Sequence, residues 1–336
     1  MLPIAVDAMG GDHAPAAIVA GAVRAAHAGT PVVLVGDAVR LRPLVDTELR
    51  KRLRRREIDL TVEHAPDAVG MADSPSSVRS RPDTSVRRTV QLVAEGKAAA
   101  AVSCGSTGAT LFAAVLDLGT LEGADRPAIA TMLPRRDGGR LVLLDAGANV
   151  DCRPELLASF AQLGAAYAEV SGVPRPRVGL LANGEEDGKG NMQVRATLPL
   201  LRSLDLDVVG NVEPSAAMEG ACDVLVCDGF VGNVLLKAAE GAVGTVVALL
   251  REEIRRRPSG MVGAFLLRGA FKRFRARVAW DATGGALLLG ARGVVVVGHG
   301  RANAVAVQGA IETASRYART GLVDAMTRRL AGERPR

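Results

Sequence analysis

Polar and small residues collect in five short clusters, each just behind an apolar run, and these are the places where the chain can do chemistry. The first is Asp7-Ala8-Met9-Gly10-Gly11-Asp12-His13-Ala14-Pro15. There Gly10 and Gly11 permit a close backbone approach, and His13 can donate to an anion or act as an acid. The second, Ser103-Cys104-Gly105-Ser106-Thr107-Gly108, has the composition of an anion cradle: small residues whose amides face a helix start and suit phosphate or a phosphoryl group. The third, Asp145-Ala146-Gly147-Ala148-Asn149, offers Asp145 and Asn149. The fourth, Asn183 to Asn191, sets Lys189 between Gly188 and Gly190, where its point charge can approach an anion. The fifth, Asp228-Gly229-Phe230-Val231-Gly232-Asn233, brings Gly232 and Asn233. The alternative for each Gly-Asn pair is a left-handed turn, and for Lys189 a surface lysine. Of the other histidines, His299 in Val297-Gly298-His299-Gly300 also ends an apolar run, whereas His27 and His64 read as structural.

The runs that hold these clusters are short, aliphatic and stopped by glycine: Ile4–Val6, Val32–Val35, Ile58–Val62, Ala100–Ser103, Ile129–Leu133, Leu141–Leu144, Val178–Leu181, Val208–Val209, Val224–Val226 and Val294–Val297. Near-continuous apolar strands suit a sheet buried on both faces. Alanine- and leucine-rich stretches with helical spacing separate them, as at Ala16–Ala28, Thr84–Glu95 and Pro154–Val170. The alternation predicts a doubly wound α/β fold, whose ligands lie beyond the carboxyl ends of the strands. One site assembled from several loops is the economical expectation.

Nucleotide motifs fail. No G-x-G-x-x-G follows the first strand, and Gly298-His299-Gly300-Arg301-Ala302-Asn303 has asparagine where the third glycine belongs. Gly184-Glu185-Glu186-Asp187-Gly188-Lys189-Gly190 has one residue too few between its glycines for a P-loop, and no Ser/Thr after the lysine. Cys104, Cys152, Cys222 and Cys227 form no C-x-x-C pair, which fits a reducing compartment and argues against structural zinc; no metal is expected. The opening Met1-Leu2-Pro3-Ile4-Ala5-Val6-Asp7 lacks a basic n-region, and no apolar run approaches the ~18 to 20 residues that cross a bilayer, so a cytoplasmic protein is expected.

Taken together, these segments resemble the bacterial fatty-acyl phosphate acyltransferase family, acyl-(acyl carrier protein):phosphate acyltransferase of phospholipid synthesis. The match runs nearly the full length through Val6–Pro15, Leu34–Asp37, Arg126–Ala128, Leu144–Asn149, Pro176–Leu181, Gly184–Glu186, Lys189–Asn191, Gly210–Glu213 and Cys227–Lys237. The resemblance implies a fold like that of isopropylmalate dehydrogenase and phosphate acetyltransferase, a homodimer, and conversion of an acyl carrier protein thioester and inorganic phosphate into acyl phosphate, with no cofactor. It further implies that Lys189, Ser106-Thr107-Gly108 and Gly10-Gly11 hold phosphate, that Asn233, with Asn191 and Lys189, polarises the acyl carbonyl, and that His13 protonates the leaving thiolate. Asp7, Asp12, Ser103, Gly105, Asp145, Asn149 and Gly232 complete the expected substrate contacts. The chain departs from the family at Ser103-Cys104-Gly105-Ser106-Thr107-Gly108, where Ser-Ala-Gly-Asn-Thr-Gly is usual, so a hydroxyl replaces an amide. It departs again at Leu181-Ala182-Asn183-Gly184 and Glu213-Pro214-Ser215-Ala216, usually Leu-Asn-Ile-Gly and Glu-Gly-Arg-Asp. A covalent acyl-enzyme on Cys104 is unnecessary for such a reaction. The alternatives are a phosphate acetyltransferase-like enzyme using acyl-coenzyme A, and a non-catalytic scaffold.

Charge is unevenly placed. Nine basic residues and two acids lie between Arg251 and Arg277, a local +7 in a chain of net +6, so the remainder is near neutral. Leu267, Phe271, Phe274 and Val278 fall on one helical face there, with Phe265 nearby and Arg268, Lys272, Arg273, Arg275 and Arg277 around the rest. Such an arm suits an anionic membrane surface or an acidic partner such as the carrier protein, or else a dimer interface. No nucleic-acid module accompanies the charge. The expected division is a core of residues 1–237 and 279–330, an inserted helical arm at 238–278 and a tail at 331–336. Arg50 to Arg56 reads as the solvated face of a helix.

Overall fold

The computed structural model describes residues 1–51, 58–256, 258–278 and 284–333. The basic run at 52–57 lies outside them, as does the side chain of Arg275. The strands are β1 (Ile4–Asp7), β2 (Val32–Gly36), β3 (Leu60–His64), β4 (Ala100–Ser103), β5 (Ala128–Pro134), β6 (Arg140–Leu144), β7 (Arg177–Leu181), β8 (Asp207–Val212), β9 (Val224–Val226), β10 (Ala286–Leu289) and β11 (Val294–Val297). The helices are α1 (Ala16–His27), α2 (Ala38–Arg50), α3 (Ser77–Ser80), α4 (Ser85–Ala94), α5 (Thr107–Ala113, continued by a π-helical segment, Ala114–Leu118), α6 (Pro154–Val170) and α7 (Met192–Ser203). They continue with α8 (Pro214–Glu219), α9 (Gly229–Arg255), α10 (Pro258–Leu266), α11 (Arg268–Val278), α12 (Ala304–Arg319) and α13 (Leu322–Leu330).

All eleven strands join one sheet in the order β3-β2-β1-β4-β11-β10-β5-β6-β9-β7-β8. The α/β expectation holds, and each half of the sheet is parallel within itself. Where the halves meet, β10 runs antiparallel to both β11 and β5, and β5 antiparallel to β6. The two parallel halves therefore run in opposite directions, and β10 and β5 form the seam. Ala286-Leu287-Leu288-Leu289 of β10 is the strand that the sequence reading misses; a short alanine-leucine run without β-branching does not separate strand from helix.

Burial explains the strand composition. Every residue of β1, β2, β4, β9 and β11 is buried, which only a sheet covered on both faces allows. One face packs against α1, α6 and α12, where Phe160, Leu157 and Leu163 of α6 are essentially inaccessible; each such side chain stabilises the fold by roughly 1.5–3 kcal/mol. The other face packs against α4 and α5 through Val86, Val90, Ala109 and Ala113. Helix starts are satisfied locally. Asp37 caps α2, Ser106 caps α5, Asn191 caps α7, Asp228 caps α9 and Asn303 caps α12, each accepting from a backbone N–H of the first turn.

Two hydrogen-bonded ion pairs tie the second half together. Arg135 and Arg177 both reach Asp223, just before β9, at 2.5 and 3.1 Å. Beyond Gly232, α9 is largely uncovered, with Val246, Leu249 and Leu250 exposed. By length and composition this helix is long and apolar enough to cross a membrane, although Lys237 and Glu240 interrupt it before Arg251, so it contains no unbroken apolar run of that length. The basic segment is not one helix, since α10 and α11 meet at Leu267. Phe265, Leu266, Leu267 and Phe274 are exposed there, and the Arg268 guanidinium lies 4.7 Å above the Phe265 ring.

Candidate active site

Three loops at the carboxyl ends of β1, β4 and β11 are fused into one wall. Asp7 ends β1 fully buried; its carboxylate accepts from the Ser103 hydroxyl at 2.7 Å and from the Met9 N–H at 3.1 Å. Burial pushes the Asp7 carboxyl above its ordinary value, with the Ser103 hydroxyl among the donors opposing that shift. Gly10 and Gly105 cross so closely that a Cβ on Gly10 would lie 2.8 Å from the Gly105 Cα. The Asp12 N–H donates to the Gly300 carbonyl at 2.8 Å, and the Gly298 N–H to the Ser103 carbonyl at 2.8 Å. Cys104 lies inside this wall; burial, with Asp7 beside it, pushes its thiol up to about 12, so it is not poised as a nucleophile.

Asp145 builds the facing wall. Wholly buried after β6, its carboxylate accepts from the backbone N–H groups of Ile129, Gly147, Ala148 and Asn149 and from the Asn149 side chain, at 2.7–3.0 Å. Burial raises the carboxyl, and those donors oppose it. Asn149 also donates to the Pro127 carbonyl at 2.9 Å and accepts at its own carbonyl from the Gly229 N–H at 2.7 Å. This loop receives the first turn of α9, which approaches so tightly that a Cβ on Gly232 would lie 1.9 Å from the Asp145 carbonyl oxygen. The next residue is Asn233, which lies against Gly147.

Between the walls, over the seam strands, lies a cavity of about 450 Å³. Thr107, Thr131, Asn233, Lys237, Glu240 and His299 supply its polar lining, and Met71, Ile129, Ala146, Leu236, Ala286 and Val297 its apolar lining. The Lys237 ammonium is 2.8 Å from a Glu240 carboxylate oxygen. The Nδ1 of His299 accepts from the Arg301 N–H at 3.1 Å, which directs Nε2 to other partners. An ammonium, two hydroxyls, an amide and an imidazole around an apolar floor can hold an anion beside a carbonyl and supply a proton.

The residues expected from the sequence divide into three groups. Gly105, Thr107 and Asn233 line the cavity. Asp7, Gly10, Gly11, Ser103, Asp145, Asn149 and Gly232 stand behind it as framework: the side chains of Asp7, Ser103, Asp145 and Asn149 are buried and turned to internal partners, so they shape the loops where the sequence reading expected substrate contacts. Ser106 spends its hydroxyl on the α5 cap, and Gly108 packs on Pro75. Asp12 and His13 are exposed and lie outside the cavity lining, as do Lys189 and Asn191. The Lys189 loop leaves β7, which pairs with β9, so it emerges one strand from the Asn233 loop on the same carboxyl edge. It is firmly held: Asn183 accepts from the Gly190 N–H at 2.9 Å, Asn211 donates to the Glu186 carbonyl at 2.8 Å, Arg202 pairs with Asp187 at 2.6 Å, and Asn191 is spent capping α7.

Lys237, Glu240, Thr131 and Met71 escape the sequence reading. Lys237 had a signal, since it lies four residues after Asn233 and so on the same helical face. Thr131 and Ile129 are alternate residues of β5, which places them on one face of the sheet, but nothing in the sequence says that this strand crosses the seam.

Comparisons with known proteins agree with this architecture. The family model "Fatty acid synthesis protein" matches residues 2–325. A phosphate acyltransferase of Trichlorobacter lovleyi is 45% identical over 331 residues, covering 98% of this chain and 94% of that protein. One from Thermus thermophilus is 45% identical over 329 residues, covering 98% of each. Among solved structures, a phosphotransacetylase from Streptococcus pyogenes superposes with TM-score 0.62 at 19% identity, covering 94% of both chains. A 4-hydroxythreonine-4-phosphate dehydrogenase from Klebsiella pneumoniae gives 0.56 at 17%, covering 95% of this chain and all of that one. The two structures share the fold; the full-length match to the family model and to relatives near half identity shows that this chain belongs to the fatty acid synthesis protein family, together with those phosphate acyltransferases.

Proposed function

We propose that the chain transfers a fatty acyl group from an acyl carrier protein thioester to inorganic phosphate, giving acyl phosphate and the free carrier thiol for glycerophospholipid synthesis. The single observation that carries this reading is the placement of Asn233, just after the first turn of α9, in a cavity that also holds Lys237, Thr107, Thr131 and His299. Relatives named phosphate acyltransferase, aligned over nearly the whole chain, support the reaction class.

Phosphate is a dianion near neutral pH and a nucleophile without further activation, so placing it against the thioester carbonyl is the main task. In our reading the hydroxyls of Thr107 and Thr131 and the ammonium of Lys237 hold phosphate. A phosphate oxygen attacks the carbonyl carbon, the Asn233 amide donates to the oxyanion, and the carbon–sulfur bond breaks as the carbonyl re-forms. One oriented donor to that oxygen is worth ~3 kcal/mol. The departing thiolate accepts a hydrogen bond from the Nε2–H of His299, which lines the cavity where His13 does not, and with an ordinary thiol pKa near ~8.5 it takes its proton from solvent. Lys189, on the neighbouring loop, adds its charge to phosphate at the mouth of the site, and Asn191 fixes that loop by capping α7. The apolar floor at Ile129, Leu236 and Val297 receives the first carbons of the acyl chain.

The uncovered apolar and basic surfaces of α9, α10 and α11 support a peripheral contact with an anionic membrane or with the acidic carrier, made by Phe265, Leu267, Arg268, Phe271, Lys272, Arg273 and Phe274. The working form is a cytoplasmic homodimer in this reading. Acyl carrier protein and coenzyme A thioesters of the same chain length, each assayed with inorganic phosphate, test the function. The carrier thioester is expected to be the better donor, and Asn233→Ala and Lys189→Ala to abolish turnover with unfolding temperatures unchanged. Full activity in both variants defeats the site assignment; preference for acetyl-coenzyme A moves the enzyme to the phosphate acetyltransferase class.

A further inference from the structure

A second hollow, of about 350 Å³, opens where β6 and β9 begin. Met132 of β5 lines it, whereas Ile129 and Thr131 of the same strand line the catalytic cavity. Side chains alternate along a strand, so the two cavities lie on opposite faces of the sheet and share no wall residue.

The floor of the second hollow is apolar and closed: Val142 and Ala168 are each 2% exposed. Tyr317 lies beside them, its hydroxyl 3.0 Å from that of Ser171 and its ring edge-on to Tyr167. The lining contains one acid, Asp223, and both of its oxygens are already bonded by Arg135 and Arg177. Two further guanidiniums stand at the rim. Arg140 has the Met132 sulfur at 3.8 Å, and neither Arg140 nor Arg316 has a carboxylate partner among the described residues. Burial pushes the Tyr167 hydroxyl well above its usual value and the two arginines oppose it, which puts both within electrostatic reach of Tyr167.

We propose that this hollow binds an amphiphilic anion, a carboxylate or phosphate monoester on a short aliphatic stem, its head between Arg140 and Arg316 and its stem on Met132, Val170 and Val173, above the closed floor of Val142 and Ala168. Two planar forks at one rim match an oxyanion head. A bare anion would leave the half-buried Met132, Val170 and Val173 wet, and an uncharged aliphatic would leave the guanidiniums unmatched. The neutralised Asp223 does not repel the head. The volume lies near the lower end of the ~300–1,000 Å³ usual for small-molecule sites, which keeps the stem short.

Methyl-labelled methionine separates the two cavities, because Met132 lines one and Met71 the other. The full chain is titrated with octyl phosphate and octanoate, which distinguish the two kinds of head, and with octanol and inorganic phosphate as controls. At least one octyl anion is expected to shift the Met132 methyl to saturation, binding ten or more times tighter than either control. Arg140→Gln/Arg316→Gln is expected to weaken that binding at least tenfold with acyl phosphate turnover unchanged. Ala168→Leu, which fills the floor and keeps both arginines, is expected to weaken it as well. No Met132 shift with either anion, a shift confined to Met71, equal binding of a control, or wild-type affinity in the arginine double variant overturns the proposal.

Discussion

Gly232→Ala tests how the site is assembled, because it adds one carbon behind Asn233 and changes no polar group. The added Cβ would lie 1.9 Å from the Asp145 carbonyl oxygen, and real Cβ contacts stop near 3.0 Å, so one side must retreat by ~1 Å. Asp145 cannot yield cheaply, since its carboxylate accepts five hydrogen bonds and its loop is anchored to Pro127 and Gly229. The first turn of α9 must move, and Asn233 moves with it. A misplacement of ~1 Å costs on the order of 10²-fold in rate, equivalent to about 2.7 kcal/mol of barrier. Overpacking separately costs about 1–3 kcal/mol of stability. Thiol release from an acyl thioester in the presence of phosphate gives kcat/KM, and circular dichroism follows unfolding. The expected result is about 100-fold lower kcat/KM in a protein that still unfolds cooperatively. Activity within threefold of wild type would refute the reasoning, because it would mean that the α9 turn does not position the reacting group.

Further outcomes follow from the buried charges and thiols. Asp223→Asn removes the partner of Arg135, with which it forms a largely buried pair, and is expected to cost about 3 kcal/mol in a denaturant titration near neutral pH. Burial alone would raise the Asp223 carboxyl, but Arg177 and Arg135 hold it below 3.8, so its contribution is present above that value and lost as pH falls through the lowered one. The stability gap between wild type and Asp223→Asn should therefore be constant from pH 5 to 7 and close only in strong acid; a gap that closes by pH 5 contradicts the pairing. Burial pushes the Cys104 and Cys222 thiols up to about 12, so iodoacetamide at pH 7.5 is expected to leave both unmodified by mass spectrometry while turnover persists. Rapid loss of activity by alkylation of Cys104 would reopen a covalent route.

Most of the fold was legible because its strands are buried on both faces and so are written as uninterrupted aliphatic runs, as in Val32–Gly36 and Val294–Val297. The reversal of direction at the seam was not legible, because β10 is a four-residue alanine-leucine run and strand direction leaves no periodicity in a sequence. The loops carrying Asn233 and Gly105 were found from small and polar residues placed after strands. The inward turn of Asp7 and Asp145 was hidden for a physical reason. A carboxylate that gathers backbone N–H groups and one that faces a ligand have the same neighbours in sequence and differ only in burial. Lys237 was hidden differently: it is the last residue of the expected core before the arm at 238–278, and its place on the cavity wall follows only from the helix that runs on from Gly229 through Asn233.

The central claim, that acyl thioester and inorganic phosphate react in the Asn233 cavity, is tested most directly by phosphorus NMR of the purified chain with an acyl carrier protein thioester and inorganic phosphate. The account predicts that the phosphate signal declines and an acyl phosphate signal appears in step with released carrier thiol, and that neither change occurs with Asn233→Ala. Thiol release without acyl phosphate, or acyl phosphate formed equally by Asn233→Ala, would contradict it.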